Sequence, residues 1–114
     1  MQTAAAAPQM DGVFKALADP TRRQVIARLS RSPASVSELA QPFEMALPSF
    51  VEHLKVLEGC GLVTSRKAGR VRTYQIESKR LRMAEDWLSQ QRSLWEERLD
   101  RFDAYALSLK EKRK

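Results

Sequence analysis

The sequence predicts a mainly α-helical fold with one small β-hairpin (α+β), and three observations predict it. Apolar residues recur at helical spacing between Val13 and Leu57. Between residues 62 and 76 the period shortens around a charged tip, Arg66-Lys67-Ala68-Gly69-Arg70. From Leu81 onward there is neither Gly nor Pro, so one long helix of about thirty residues is expected. The chain has 114 residues, 43% hydrophobic and 30% charged, enough for one domain with a modest core.

The elements follow in order. Residues 1–9 are rich in small side chains and contain a proline, and a disordered tail is expected there. Val13, Phe14, Leu17 and Ala18 give a short first helix starting near Met10. Asp19 then serves as an N-cap with Pro20 at the first helical position, where its missing N–H has no partner to lose. The helix that follows turns Val25, Ile26 and Leu29 inward. Pro33 lies in a polar break, and Ser35 with Glu38 forms an S-x-x-E capping box that opens a third helix, ending near Glu44. A fourth helix runs from about Leu47 to Gly59, with a buried stripe of Leu47, Phe50, Val51, Leu54 and Leu57, and Gly59 and Gly61 stop it. Leu62-Val63 and Val71 to Ile76 read as two short strands.

Two short helices joined by a tight turn, then a hairpin with a charged tip, is the layout of a winged helix-turn-helix. In the final helix Leu81, Leu88, Trp95, Phe102 and Leu109 recur every seven residues, with Leu99 four after Trp95. A heptad stripe this long calls for a partner helix, most simply the same helix of a second copy. The expected organisation is a tail (1–9), a winged domain (10–78), a dimerisation helix (79–109) and a basic tail (110–114).

Charge and composition narrow the function. The net charge is +6, yet residues 1–60 hold six bases and six acids, and residues 83–114 hold seven of each. The excess lies in residues 61–82, where Arg66, Lys67, Arg70, Arg72, Lys79, Arg80 and Arg82 face Glu77 alone. A local basic block on a balanced chain marks a surface for a polyanion. One cysteine, Cys60, excludes an internal disulfide framework and a CxxC pair, and one histidine, His53, leaves no His-rich metal site. No catalytic set of nucleophile and base and no phosphate loop is present, so no enzyme activity and no cofactor is expected. The N-terminus lacks a charged n-region and a long apolar h-region, and no stretch approaches a membrane span of about 20 residues. A reduced, cytoplasmic protein without a membrane partner is expected.

Two motifs carry a family resemblance. Phe14-Lys15-Ala16-Leu17-Ala18-Asp19-Pro20-Thr21-Arg22-Arg23 resembles the opening of the ArsR family of bacterial repressors. Leu47-Pro48 followed by His53-Leu54-Lys55-Val56-Leu57-Glu58-x-x-Gly61-Leu62-Val63 resembles its helix-turn-helix. The resemblance covers about residues 10 to 77. It implies a homodimeric regulator, usually a repressor, that binds imperfect palindromes in double-stranded DNA and often controls its own operon. The arsenic and cadmium sensors of that family carry a Cys-x-Cys pair where this chain has Ser35 and Ser37, which are poor ligands for soft metals. Its zinc sensors use Asp and His of the last helix, and residues 79–114 contain no histidine. The long last helix, with Trp87, Trp95 and Glu97-Arg98-Leu99, looks like the subgroup without metal sensors, and no metal site is expected.

The candidate DNA contacts fall in two groups. On the fourth helix Pro48, Ser49, Glu52, His53 and Lys55 lie off the apolar stripe. His53 either donates to a phosphate or base, or covers the packing between helices. Glu52 stands where the family commonly has Lys or Arg; it either accepts from a cytosine amino group or stays clear of DNA. Ala46 stands where the family commonly has a capping Ser. On the wing, Arg66, Lys67, Arg70 and Arg72 are read as phosphate or minor-groove contacts, against the alternative of a solvated turn. Leu81, Leu88, Trp95, Leu99, Phe102 and Leu109 are the candidate dimer interface. Trp87 and Trp95 either belong to that seam or line an effector pocket, and the residues name no effector. Cys60 is either a structural thiol or a redox sensor. The competing function is a protein-interaction module, dimerising through the last helix with weak DNA binding, which Ala46 and Glu52 favour. A scavenger of a small apolar ligand has only the two tryptophans in its support.

Overall fold

A computed structural model describes residues 2–112, with side chains from residue 8 onward. The order of elements is α1 (Gln2–Leu17), α2 (Pro20–Leu29), β1 (Ala34–Ser35), α3 (Val36–Ala40), α4 (Leu47–Gly59), β2 (Val63–Ala68), β3 (Val71–Ile76) and α5 (Ser78–Lys112). The chain divides into two units, Met1–Ala84 and Glu85–Lys114, so the first turns of α5 belong to the winged domain.

Helix boundaries follow local chemistry. The first helix begins at Gln2 rather than near Met10, so the stretch expected as a disordered tail is helical from there. Its run Ala4–Ala7 has the highest intrinsic helix propensity, which carries the helix through Pro8. Asp19 caps α2, its carboxylate accepting from the Arg22 N–H at 3.0 Å, with Pro20 opening the helix. The Ser35–Glu38 capping box is complete: Glu38 N–H donates to Ser35 Oγ at 3.2 Å and Ser35 N–H to Glu38 Oε1 at 3.1 Å. That third helix ends at Ala40, earlier than its expected end near Glu44, because Pro42 follows in the turn. The fourth helix closes in a Schellman arrangement. Leu62 N–H reaches Leu57 C=O at 3.0 Å, Gly61 N–H reaches Glu58 C=O at 3.1 Å, and Gly61 takes φ +82°.

The sheet is three-stranded and antiparallel in the order β1-β3-β2, with Ala34 opposite Tyr74 and Ser65 opposite Tyr74 on the other edge. The strand at Ala34–Ser35 is an addition to the expected elements; two residues leave no alternating pattern to read. The core draws on every layer: Val13 and Ala16 of α1, Val25 and Leu29 of α2, Leu39 of α3, Phe50, Leu54 and Leu57 of α4, with Leu62, Val63, Tyr74 and Ala84. Phe43 in the turn packs against Phe50 of α4, with ring centres 5.3 Å apart and planes tilted by 34°. The stripe expected on α4 holds at Phe50, Leu54 and Leu57, whereas Leu47 is 55% exposed.

Candidate nucleic-acid interface

The fourth helix turns one face to the core and leaves the other open. Phe50, Leu54 and Leu57 are fully buried, while Pro48, Ser49, Glu52, Lys55 and Val56 are exposed. The exposed set runs along one ridge at three- and four-residue spacing, so its members present together. Ala46 is the N-cap and makes no side-chain capping bond. The helix N-terminus therefore keeps free backbone donors beside Ser49, as a phosphate contact requires. Lys55 Nζ lies 3.3 Å from Glu52 Oε1. Leu47, expected in the buried stripe, instead stands in solvent with Met45 at the mouth of this face. The first residue of a helix has no preceding turn beneath it, which is the signal that could have placed it outside.

His53 is set apart from the other candidates. Its Nδ1 is 3.1 Å from an Arg22 guanidinium nitrogen and 3.7 Å from Asp19 Oδ2. A guanidinium only donates, so in the Arg22 contact Nδ1 is the acceptor. Arg22 in turn donates through Nε to the Ala16 carbonyl at 2.6 Å. This cluster ties the α1–α2 junction to the middle of α4, and His53 is half-buried in it. The Arg22 backbone N–H, helped by the charges of the cluster against partial desolvation, holds the Asp19 carboxyl below its ordinary value.

The wing is longer-stranded and more tightly turned than expected. The second strand runs through Arg66 and Lys67 to Ala68, which pairs with Val71, so the turn is Gly69-Arg70 alone. Gly69 takes φ +63° at the first central position, as a two-residue II′ turn demands, and sets Arg70 at the tip. The pleat then sorts the cations. Lys67 pairs with Arg72 on the face that carries Val63, Ser65 and Tyr74, whereas Arg66, opposite Thr73, lies on the other face. Two cations directly opposed repel each other, and an anion between them reverses the sign. Arg72 donates to Ser65 Oγ at 2.8 Å, and Ser65 donates to Glu58 Oε2 at 2.8 Å. That chain joins the wing to the end of α4. The ion pairs between bases and carboxylates among the described residues, Arg28–Glu38, Lys55–Glu52 and Arg92–Glu96, leave Arg66, Lys67 and Arg70 without a carboxylate.

Other candidates are placed as follows. Leu81, the first residue of the proposed seam, is half-buried and packs against the core of the winged domain within its own chain. The rest of the proposed seam, Leu88, Trp95, Leu99, Phe102 and Leu109, is exposed along α5, as are Leu94, Tyr105 and Leu107. Lys110 to Lys112 continue α5; Arg113 and Lys114 lie outside the described residues. Cys60 is half-buried with Sγ donating to the Leu57 carbonyl at 3.4 Å. Ser35, at the place of a metal-binding cysteine in the sensors, has its hydroxyl occupied as a cap. Among the described residues no group of three or more His, Cys, Asp or Glu could hold a metal, and no helix is long and apolar enough to cross a membrane.

Comparison with known proteins agrees with this geometry. A helix-turn-helix domain family matches residues 17–66. The HTH-type transcriptional regulator Rv2034 of Mycobacterium tuberculosis is 43% identical over 67 residues, covering 59% of this chain and 63% of that protein, somewhat under two thirds of its length. The crystal structure of the ArsR family transcriptional regulator RHA00566 superposes with a TM-score of 0.75 at 56% identity, over 79% of this chain and 93% of that one. The homodimeric winged helix-turn-helix DNA-binding domain Mb0332 of Mycobacterium bovis superposes with a TM-score of 0.63 at 26% identity, over 86% and 88% of the two chains. A mainly helical chain with a three-stranded wing, similar over most of its length to such a regulator, has the winged helix-turn-helix fold and belongs to the ArsR family.

Proposed function

We propose that this protein is a homodimeric, sequence-specific DNA-binding repressor that acts by occupying an imperfect palindrome near its own promoter. The observation that carries this is the single open ridge of α4, coupled through Glu58–Ser65–Arg72 to a wing whose cations lack carboxylate partners. The start of α4 enters the major groove, with Pro48 and Ser49 leading and Glu52 and Lys55 following. Lys67, Arg70 and Arg72 take the phosphate backbone, and Arg70 at the tip reaches toward the minor groove. Arg66, on the opposite strand face, serves a more distant phosphate. His53 holds α4 at its angle through Arg22 rather than meeting DNA. The homodimeric state named for the Mycobacterium bovis domain supports pairing through the exposed stripe of α5. Two copies then set half-sites about one helical turn of DNA apart, or a multiple of it. The protein works in the cytoplasm by occupancy, without chemistry and without a metal switch.

Gel-shift titration with the duplex from the chain's own upstream region tests this. Sub-micromolar binding with two chains per duplex is expected. Binding no tighter than to random DNA, with an intact dimer, favours the protein-interaction reading instead.

A further inference from the structure

We infer that Glu52 is a base-reading residue, and that it selects a cytosine in each half-site of the operator. This rests on the proposed DNA-binding function and deepens it. Glu52 lies on the ridge between Ser49 and Lys55, three residues from each, and all three are exposed. Any docking that brings both neighbours to the groove brings Glu52 with them, so the acid does not stay clear of DNA. A carboxylate there cannot meet phosphate, and it has only acceptors to offer. The major-groove donors are the amino groups of cytosine and adenine. Adenine presents its N7 acceptor beside that amino group, which repels a carboxylate and suits an amide side chain. Cytosine N4 is left as the fitting partner.

Lys55 makes the acid usable. Its ammonium sits 3.3 Å from Oε1 and leaves Oε2 open. The pair enters the negative field of the duplex nearly neutral, which removes most of the repulsion a lone carboxylate would meet. Lys55 is thus a positioning residue for Glu52, besides having donors of its own for a neighbouring guanine or phosphate.

Selection of bound duplexes from a random pool tests this, with the full-length wild type and with Glu52→Gln and Glu52→Ala. Both variants alter an exposed side chain, and circular dichroism and sedimentation confirm the folded dimer. The wild-type motif is expected to hold one C·G pair at symmetric positions in each half-site. In Glu52→Ala that preference falls roughly tenfold, and in Glu52→Gln it moves toward adenine, while the other positions persist. A variant motif superimposable on that of the wild type overturns the inference and leaves the regulator reading standing, as does a wild-type motif without such a pair. A wild type that enriches no motif overturns the regulator reading, and this inference with it.

Discussion

At position 46 the fourth helix begins without a side-chain cap, which leaves backbone donors of its first turn open. Ala46→Ser is expected to stabilise the folded chain by about 1 kcal/mol, read as a higher urea midpoint at unchanged slope. No change would mean that Ser at 46 cannot adopt the capping rotamer. The carboxyls of Asp19 and Glu38 behave alike: a backbone N–H, from Arg22 and from Ser35 respectively, is the main force holding each below its ordinary value of 3.8 or 4.5. In the unfolded chain these groups take up a proton first, so stability is whole above about pH 5 and drains away as the pH falls through the folded values. Asp19→Asn should therefore flatten the acid limb of a pH–stability profile measured by thermal melting. His53 shows what one sequence position conceals. Its spacing places it on the groove-side half of α4, yet Arg22, thirty-one residues earlier, claims its ring. No local pattern encodes that partner.

Elements assembled from local signals were readable in the sequence, and elements defined by their neighbours were not. The Asp19-Pro20 start, the Ser35–Glu38 box and the Gly61 stop fixed three helix ends, because each is chemistry within five residues. By contrast, β1 exists only because Tyr74 and Thr73 pair with Ala34 and Ser35. Leu81 fits the heptad of α5 yet also packs against the domain core, since a seven-residue period cannot say which surface a side chain meets. The two faces of the wing likewise depend on a register that composition does not give, and they sharpen its test. Lys67→Ala with Arg70→Ala should weaken binding to every duplex. The slope of log affinity against log salt should become shallower by about 1 for each phosphate the wing no longer neutralises. An unchanged slope would take the wing off the DNA. For α5, Trp95→Glu puts a charge into the proposed seam and should convert dimer to monomer at micromolar concentration. A dimer that persists in sedimentation velocity would move the interface elsewhere.

For the molecule as a whole, the +6 charge now has a shape. The excess cations of residues 61–82 divide between a wing face shared by Lys67 and Arg72, the opposite face at Arg66, a tip at Arg70, and the entry to α5. The recognition ridge itself is close to neutral, because Glu52 and Lys55 cancel. On the proposed function, affinity resides in the wings of a dimer and is strongly salt-dependent, whereas sequence choice resides in α4. The ratio of specific to non-specific affinity separates these contributions better than either constant alone. The most direct measurement is a competition experiment at physiological salt, displacing a labelled upstream duplex from the full-length protein with its unlabelled copy or with a scrambled duplex of the same composition. A preference of about a thousandfold or more for the upstream sequence, saturating at two chains per duplex, is the predicted result. Equal displacement by the two duplexes would contradict the account, leaving a basic protein that binds DNA by charge alone.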